Sequence, residues 1–263
     1  MRKTNNKKIH IVKGGDNLIL SIQKACKILK CFTHEKSAFR IDELCKRVGY
    51  PKSTTHRICI TLEKEDFLAR GKDRSVFVLS PKIYELCMVA VDKINIRPTV
   101  LKFMQDIVKK TGESTALYIR HDFQRICIEK LESPYDLRQV VTLGEPLPLC
   151  VGSSGKILLA WMPPELQKSY LKILKKSPPQ YLKRSVDQLE EELKEIKKQG
   201  FALSCGERVP DSKSVSVPIF QINGEVLALT IMGPSVRIDN NKIKEMLNIL
   251  QELANKVNNL TKF

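Results

Sequence analysis

Six consecutive polar or basic residues have the chemistry needed to contact duplex DNA. An arginine can hold guanine through two hydrogen bonds, and serine and threonine hydroxyls can bind phosphates or base edges. A lysine at a helix start lies beside backbone N–H groups that favour a phosphate. If this run opens the second helix of a helix-turn-helix, it predicts a recognition helix in the major groove. The residues are Lys52, Ser53, Thr54, Thr55, His56 and Arg57, directly after Pro51.

A basic turn further along the chain offers two more phosphate contacts, Lys72 and Arg74. It lies between two strand-like segments, residues 67–70 and 76–79, as in a hairpin. The competing interpretation is that Ser53 only caps a helix and the other polar side chains form a solvated face. Because helices precede the run and a basic hairpin follows it, DNA binding is the better explanation.

A second segment, Gly152-Ser153-Ser154-Gly155, has the composition of a carboxylate-binding helix start. Small residues let a ligand approach the backbone there, and the free N–H groups attract an anion. A phosphate-binding Walker loop is excluded, because that motif needs glycine at position 150 and serine or threonine at 157. The chain has cysteine and isoleucine at those positions.

Enzymatic chemistry has little support in the sequence. Glu207 and Asp211 are four residues apart in a predicted loop and could form an acid–base pair, although loop carboxylates are usually only solvated. The four histidines are scattered, and no Gly-x-Ser-x-Gly elbow occurs. No Cys-x-x-Cys pair or zinc-finger spacing occurs either. We therefore expect no catalytic residue, no metal and no cofactor.

The eight cysteines are expected to be free thiols. Several occupy apolar positions of helical patterns, where cysteine behaves as a small hydrophobe. The chain has no signal-peptide pattern and no apolar run long enough to cross a bilayer, so a soluble protein of the reducing cytoplasm is expected. Cys150 and Cys205 could form a redox switch near the acid-binding segment, but inert burial is the favoured interpretation.

The charge of the chain is concentrated at its N-terminal end. The formal net charge is +16. Residues 1–82 carry 19 basic and 8 acidic side chains, whereas residues 83–263 carry 26 and 21. A small basic region joined to a larger, nearly balanced one indicates a polyanion-binding module attached to a second domain.

The elements that must position the polar run are three short helices and a hairpin. Apolar residues recur at helical spacing from Ser21, again from Ile41 to Val48, and a third time from Pro51 to about Glu65. With the hairpin at 67–79, this order is that of a winged helix-turn-helix. Residues 1–16 are polar and aperiodic, and a connecting helix is predicted from Lys82 to about Asp92.

The remainder predicts an α+β domain built on one antiparallel sheet with flanking helices. Strands are grouped on both sides of a helical middle, and Asn223–Gly224 predicts a tight hairpin turn. The predicted helices cover about residues 97–111, 154–162, 165–175, 186–199 and 240–258, and the predicted strands 115–119, 125–131, 139–143, 201–205, 214–220 and 226–232.

The chain resembles the IclR family of bacterial transcription regulators over roughly residues 18–258, in the family's order and spacing. The stretches that carry the resemblance are Ser21-Ile22-Gln23-Lys24-Ala25-Cys26-Lys27-Ile28-Leu29, Pro51-Lys52-Ser53-Thr54-Thr55-His56-Arg57, Thr111-Gly112-Glu113-Ser114, Gly155-Lys156-Ile157-Leu158-Leu159-Ala160, Gly206-Glu207-Arg208-Val209-Pro210, Val217-Pro218-Ile219 and Gly233-Pro234.

The resemblance implies a domain organisation and a set of partners. It implies a winged helix-turn-helix DNA-binding domain over 17–81 after a basic arm at 1–16, a linker helix over 82–95, and a GAF-like effector-binding domain over 96–263. Members of the family are typically dimers or tetramers, so a palindromic operator on double-stranded DNA and a small organic-acid effector are expected, with no membrane partner.

The resemblance also places the effector site. It implies that the backbone amides of Ser153 and Ser154 hold the effector carboxylate, and that Ser204 and Ser214 line the pocket. Thr230 and Met232 share one face of a strand because they are two residues apart. Leu149 and Ile157 could form apolar walls. The alternative is that these residues are ordinary turn and sheet positions.

Two residues of this region depart from the family's pattern. Met232 stands where some members have a hydroxyl, which indicates a ligand with an apolar portion. Asp211 stands where glycine is common, and the conformation of its loop is therefore in question.

Taken together, these features predict a sequence-specific transcription regulator, a repressor rather than an activator, whose DNA binding responds to the effector. The alternatives are an enzyme acting on a small carboxylate and a non-specific nucleoid or RNA-binding protein. The latter explains the charge but not a second domain with a pocket.

Overall fold

The computed structural model describes residues 18–33, 35–92, 97–221 and 223–260. The predicted arm at 1–16, His10, His34 and the last residues of the predicted linker lie outside these ranges. The chain divides into two compact units, Met1–Ala90 and Val91–Phe263. No helix within the described ranges is long and apolar enough to span a membrane.

Three helices form the first unit around one small core. They are α1 (Leu20–Leu29), α2 (Ile41–Val48) and α3 (Lys52–Lys64). Each helix contributes to the core because its apolar residues recur at helical spacing, with Ile28, Leu44 and Cys59 fully buried. Helix α2 ends at Gly49, which has a φ of 74°, a left-handed conformation that glycine adopts without strain. This turn leads the chain directly into α3.

A three-stranded antiparallel sheet completes the first unit, with strands β1 (Ala38–Arg40), β2 (Leu68–Arg70) and β3 (Val76–Leu79) in the order β1-β3-β2. The hairpin of β2 and β3 was expected from the sequence, but β1 was not. Strand β1 has three residues and one buried side chain, Phe39, so it carries too little alternation to be recognised. It forms because β3 offers it an edge.

Helix α4 (Lys82–Asp92) follows the wing, with the bounds that the sequence predicts. Its side chains Tyr84, Leu86 and Val89 are exposed although they are apolar.

A six-stranded antiparallel sheet forms the centre of the second unit. Its strands are β4 (Ser114–His121), β5 (Gln124–Leu131), β6 (Pro146–Pro148), β7 (Ala202–Cys205), β8 (Ser212–Phe220) and β9 (Val226–Pro234). Their order is β6-β5-β4-β9-β8-β7. Strands β4 and β9, which are central, are buried along most of their length.

Helices cover both faces of this sheet. They are α5 (Arg97–Thr111), α6 (Ser153–Ala160), α7 (Pro164–Lys176), α8 (Val186–Gln199) and α9 (Asn240–Leu260). Successive residues of a strand point to opposite faces, so Tyr118 packs in the core with α6, α7 and α8, whereas Leu117 packs in the core with α5 and α9. The expected α+β class is confirmed, and most elements end within a few residues of their predicted bounds.

The strand predicted at 139–143 is wrong. These residues form a loop, and the strand beside β5 is β6, a few residues later. Two of the three apolar residues here, Val140 and Val141, are adjacent, so the segment lacks the regular alternation of a half-buried strand. Val141 is buried and Val140 is half exposed.

Candidate nucleic-acid interface and anion pocket

Helix α3 presents a polar face to solvent. Its buried residues, Thr55, Cys59 and Leu62, lie on one side at helical spacing and pin the helix to the core. On the other side, Ser53 and Arg57 are exposed one turn apart. Lys52 and His56 are also exposed, and Thr54 is partly buried beside a groove next to α1 that Arg57 also borders. Five of the six predicted residues are therefore accessible.

Thr55 is the exception, and the prediction that it contacts DNA is corrected by its burial. It has no exposed surface, and its hydroxyl donates to the carbonyl of Pro51 at 3.1 Å. Its spacing of four from Cys59 is the signal in the sequence that it belongs to the core face.

Lys52 links α3 to the preceding helix. Its Nζ lies 2.8 Å from Asp42 Oδ1, and both side chains remain about two-thirds exposed. The hydrogen bond to Asp42 raises the pKa of Lys52. An exposed ion pair of this kind contributes little stability, so Lys52 stays available to a phosphate.

Two ion pairs hold the β2–β3 hairpin while its basic tip points outward. Arg70 forms two hydrogen bonds to Glu63 of α3, at 2.8 and 3.1 Å. Arg40 of β1 lies 3.0 Å from Asp73. Lys72 and Arg74 are exposed and have no carboxylate partner within the described ranges. The tip therefore offers two uncompensated positive charges close to α3.

The second unit contains a narrow polar cavity at the start of α6. The open space, mouth included, is about 420 Å³, but only about 40 Å³ of it admits the centre of a water molecule. It is lined by Tyr118, Arg125, Gln139, Val141, Gly152, Ser153, Ser154, Ser204, Arg208, Val209, Ser212, Lys213, Ser214, Thr230 and Met232.

Six of the seven residues predicted for the effector line this cavity: Ser153, Ser154, Ser204, Ser214, Thr230 and Met232. Leu149 does not line it. Leu149 and Ile157 have no exposed surface and pack in the core of this side of the sheet.

Hydroxyl groups form a continuous hydrogen-bonded chain, and three of its four members line the cavity. Ser153 Oγ lies 2.7 Å from Ser214 Oγ and accepts from Ser216 Oγ at 2.7 Å. Ser216 Oγ lies 2.8 Å from Thr230 Oγ1. The chain joins the first turn of α6 to β8 and β9, so it holds the hydroxyls in fixed positions.

Arg125 of β5 is a charged lining residue that the sequence did not single out. Its side chain is 3 % exposed, and Nη1 donates to the carbonyls of Pro148 and Val151, the latter at 2.7 Å. Burial lowers the pKa of Arg125 to about 10, although Tyr118 opposes the shift and the positive Arg208 adds to it. The sequence next to Arg125 does not indicate that it lies in a binding site, because the residues that surround it in the structure belong to other helices, strands and loops.

The glycines of the 152–155 segment make room for this guanidinium. A β-carbon at Gly152 would stand 3.0 Å from Arg125 Nη2, and one at Gly155 would overlap Nη1. The small residues were expected to let a ligand reach the backbone. In the structure they let Arg125 reach it.

Lys156, which is 1 % exposed, belongs to a cluster of four charged side chains. Its Nζ donates to Glu207 and Glu192 at 2.6 and 2.7 Å, and Arg184 pairs with both carboxylates. Glu207 also accepts from the N–H of Gly152 at 2.8 Å. Glu207, considered above as an acid–base residue, is thus a structural ion that fastens its loop to the start of α6.

The backbone conformation of Asp211 shows why aspartate can replace the glycine that is common at this position. It has a φ of 55°, in the left-handed region where glycine and aspartate are the favoured residues. The loop therefore keeps a glycine-like conformation.

The two cysteines near the cavity differ in exposure. Cys150 is fully buried and burial raises the pKa of its thiol, whereas Cys205 is exposed. A raised pKa disfavours the reactive thiolate. Within the described part of the chain, no group of three metal-ligating side chains is present.

Family models match both units. The model of the bacterial transcriptional regulator IclR C-terminal domain matches residues 88–259, and that of the IclR helix-turn-helix domain matches residues 21–71. Among curated proteins, the HTH-type transcriptional regulator XynR of Escherichia coli is 25 % identical, covering 89 % of this chain and 94 % of its own. The transcriptional repressor IclR of the same organism is 21 % identical, covering 86 % of this chain and 84 % of its own.

A solved structure supports the fold. It is an IclR homolog from Microbacterium hydrocarbonoxydans complexed with 4-hydroxybenzoate, with a TM-score of 0.79 and 20 % identity. The match covers 91 % of this chain and 98 % of that chain. Families and relatives alike are transcriptional regulators, which agrees with the expectation that the chain is not an enzyme.

Proposed function

The chain belongs to the IclR family of bacterial transcriptional regulators and is a DNA-binding regulator; we propose that it is a repressor whose operator binding is controlled by a small organic acid. The observation that carries this proposal is the pairing of an exposed polar face on α3 with a basic wing tip in one unit, and a cationic, hydroxyl-lined cavity in the other.

The DNA contacts follow from the exposed residues. Arg57 and Ser53 read base edges from the middle of the α3 face, while Lys52, His56 and Thr54 contact the flanking groove and phosphates. Lys72 and Arg74 hold the backbone of the duplex from the wing. This division separates residues that choose the sequence from residues that supply affinity.

The operator is an inverted repeat bound by a homodimer or homotetramer. A dimer places two recognition helices in successive major grooves, about 34–36 Å apart. The exposed apolar side chains Tyr84, Leu86 and Val89 on α4 support an assembly, since contact with a second chain would remove them from water. A regulator of this kind acts in the cytoplasm, where the bacterial chromosome lies.

The effector is held in the cavity at the start of α6. The backbone amides of Ser153 and Ser154 lie at a helix N-terminus, which favours an anion. The 4-hydroxybenzoate in the Microbacterium homolog is a small carboxylate and supports this ligand class. The boundaries 17–81, 82–95 and 96–263 describe the DNA-binding domain, the linker and the effector domain, and α4 carries the response between them.

We propose a repressor rather than an activator because the chain is similar to the Escherichia coli transcriptional repressor IclR. In the mode proposed here, the acid favours the arrangement that cannot bind DNA, so binding of the acid and binding of the operator weaken each other.

Footprinting of the full chain on fragments of the source genome tests this function. We expect protected inverted repeats, an affinity that falls steeply with salt, and release of the protein by a small organic acid. Equal binding to every fragment would overturn the proposal in favour of a non-specific DNA-binding protein. Tighter binding in the presence of the acid would replace repression relieved by effector with another mode of control.

A further inference from the structure

The second unit contains a buried positive charge that no carboxylate neutralises. Three charged side chains are nearly fully buried in the described part of the chain: Glu113, Arg125 and Lys156. Glu113 pairs with Arg237 through two hydrogen bonds of 2.8 Å, and Lys156 lies in the cluster with Glu207. Arg125 has no acidic partner among the described residues. A buried charge is costly unless it is paired, so a missing counter-charge is informative.

The protein itself binds only part of the Arg125 guanidinium. Nη1 donates to the carbonyls of Pro148 and Val151, which hold the group in place but carry no charge. Nε is fully buried and has no hydrogen-bond partner within the described ranges. An arginine held on one edge, with unused donors, is suited to a carboxylate that can accept from two of its nitrogens.

The rest of the cavity has the same sign of charge. Arg208 and Lys213 also line it, and no aspartate or glutamate does. Arg208 lies near enough to Arg125 for its charge to lower the pKa of that guanidinium. Lys213 Nζ donates to the Ile238 carbonyl at 2.5 Å, again without a carboxylate. The cavity therefore has a positive potential that favours an anion.

The uncharged lining is mostly hydroxyl. Ser153, Ser214 and Thr230 put three hydroxyl groups on one wall, whereas Ser216, the fourth member of the chain, is buried behind them. Each hydroxyl oxygen has two lone pairs, so it can accept from a ligand hydroxyl as well as from a neighbour in the chain. Val141, Val209 and Met232 are the aliphatic contacts, and the space is narrow. Such a lining suits a compact ligand with hydroxyl groups of its own better than an aromatic acid.

We propose that Arg125 binds the carboxylate of the effector and that the effector is a compact hydroxylated carboxylate, with its hydroxyl groups on the Ser153–Thr230 wall. This deepens the proposed function and rests on it. Glu207 already occupies the N–H of Gly152 at the start of α6, so a side-chain cation is needed to balance the acid. Arg208, which is exposed at the mouth, attracts the anion and adds to its affinity.

Calorimetric titration of the full-length protein with matched acids and polyols tests the assignment. The probes are D-glycerate and L-tartrate, each compared with its neutral analogue, glycerol or threitol, at constant ionic strength. We expect at least one acid to bind and its polyol not to bind. We expect Arg125→Gln to lower the affinity for that acid about tenfold or more, because a charge-assisted pair of hydrogen bonds is lost.

Two further variants separate a ligand contact from a structural role. Arg120→Gln is the matched control, because Arg120 lies directly opposite Arg125 on β4 but does not line the cavity; we expect unchanged acid binding. Arg208→Gln removes an exposed charge, so it should leave the fold intact. We expect it to lower the affinity for the acid by a smaller factor than Arg125→Gln does. Arg125→Lys keeps the charge and should retain more affinity than Arg125→Gln.

The assignment is overturned if no acid binds, if polyols bind as tightly as acids, or if Arg125→Gln binds the acid like wild type. Footprinting separates this failure from failure of the proposed function. If the operator is still protected and a compound of another class releases the protein, only the assignment of Arg125 falls. If no operator is found, the proposed function falls whatever the titration gives.

Discussion

Gly155 lies so close to Leu149 that a β-carbon on Gly155 would stand 2.6 Å from the Leu149 carbonyl oxygen. The first turn of α6 packs directly on the backbone that precedes it, and the guanidinium of Arg125 lies against the same glycine. Because backbone atoms cannot rotate away as a side chain can, this contact fixes the distance between α6 and the buried arginine.

Gly155→Ala should therefore destabilise the second unit. Overpacking against fixed backbone typically costs about 1–3 kcal/mol. Urea unfolding followed by circular dichroism measures the loss. The control is Ser169→Ala on the exposed side of α7, which we expect to stay within about 0.5 kcal/mol of wild type. Equal unfolding midpoints for wild type and Gly155→Ala would show that α6 is not packed this closely.

Glu207→Gln should weaken the cluster around Lys156. The variant keeps the size of the side chain but removes one of the two carboxylates that neutralise Lys156. Breaking a buried pair costs about 3–5 kcal/mol when no counter-charge remains, and Glu192 does remain, so about 2 kcal/mol is expected. Glu191→Gln, in an exposed pair with Lys194, should cost about 0.5 kcal/mol or less. A similar loss for both variants would contradict the prediction.

The stabilisation by Glu207 should depend on pH. Burial raises the pKa of this carboxyl, but the charge and hydrogen bond of Lys156 outweigh burial, and the pKa lies below its ordinary value of 4.5. A lowered folded-state pKa means that the stabilisation is fully present above the unfolded value and is lost as the pH falls through the folded one. The difference in unfolding free energy between wild type and Glu207→Gln should thus be constant near neutral pH and shrink below pH 4.5. A difference that does not change down to pH 3 would argue against an ionised Glu207.

Arg57→Ala should remove sequence discrimination. Arg57 is exposed on the face of α3 that carries Ser53, and loss of one base-contacting arginine costs about 1–3 kcal/mol at the base pair it reads. Binding to the operator and to single-base variants of it, measured by fluorescence anisotropy, reports this loss. Thr55→Ser keeps the buried hydroxyl and should leave discrimination intact. If Arg57→Ala still ranks the operator variants as wild type does, Arg57 does not read a base.

Lys72→Ala should lower the affinity of the protein for all duplexes by about the same factor. Lys72 is exposed at the wing tip and has no carboxylate partner among the described residues. Removing one phosphate contact reduces the slope of log affinity against log salt by about 1. Anisotropy titrations of operator and random duplexes over a range of salt concentrations give the slope. Lys198→Ala, an exposed lysine of α8, is the control; a slope for Lys72→Ala equal to the control would exclude the wing contact.

Helices with long, regular apolar patterns were predicted well from the sequence. The bounds of α4, α5 and α8 agree with those predicted, because the 3.6-residue period repeats over three turns or more within each segment. The short strand β1 and the loop at 139–143 were not predicted correctly. Whether a few residues form a strand depends on a partner strand, and the partner lies elsewhere in the chain.

The residue types of the two sites could be recognised from the sequence alone because recognition chemistry is local. A polar run at a helix start and a Gly-Ser-Ser-Gly segment keep their character in any fold, and six of the seven predicted pocket residues do line one cavity. Only the tertiary structure decided which side chains of these segments are accessible and what charge surrounds them. Thr55 is buried by the packing of α3, and Arg125 enters the cavity from a strand 28 residues before Ser153. Burial and electrostatic potential are sums over neighbours that the chain brings together from distant positions, and no local pattern contains those sums.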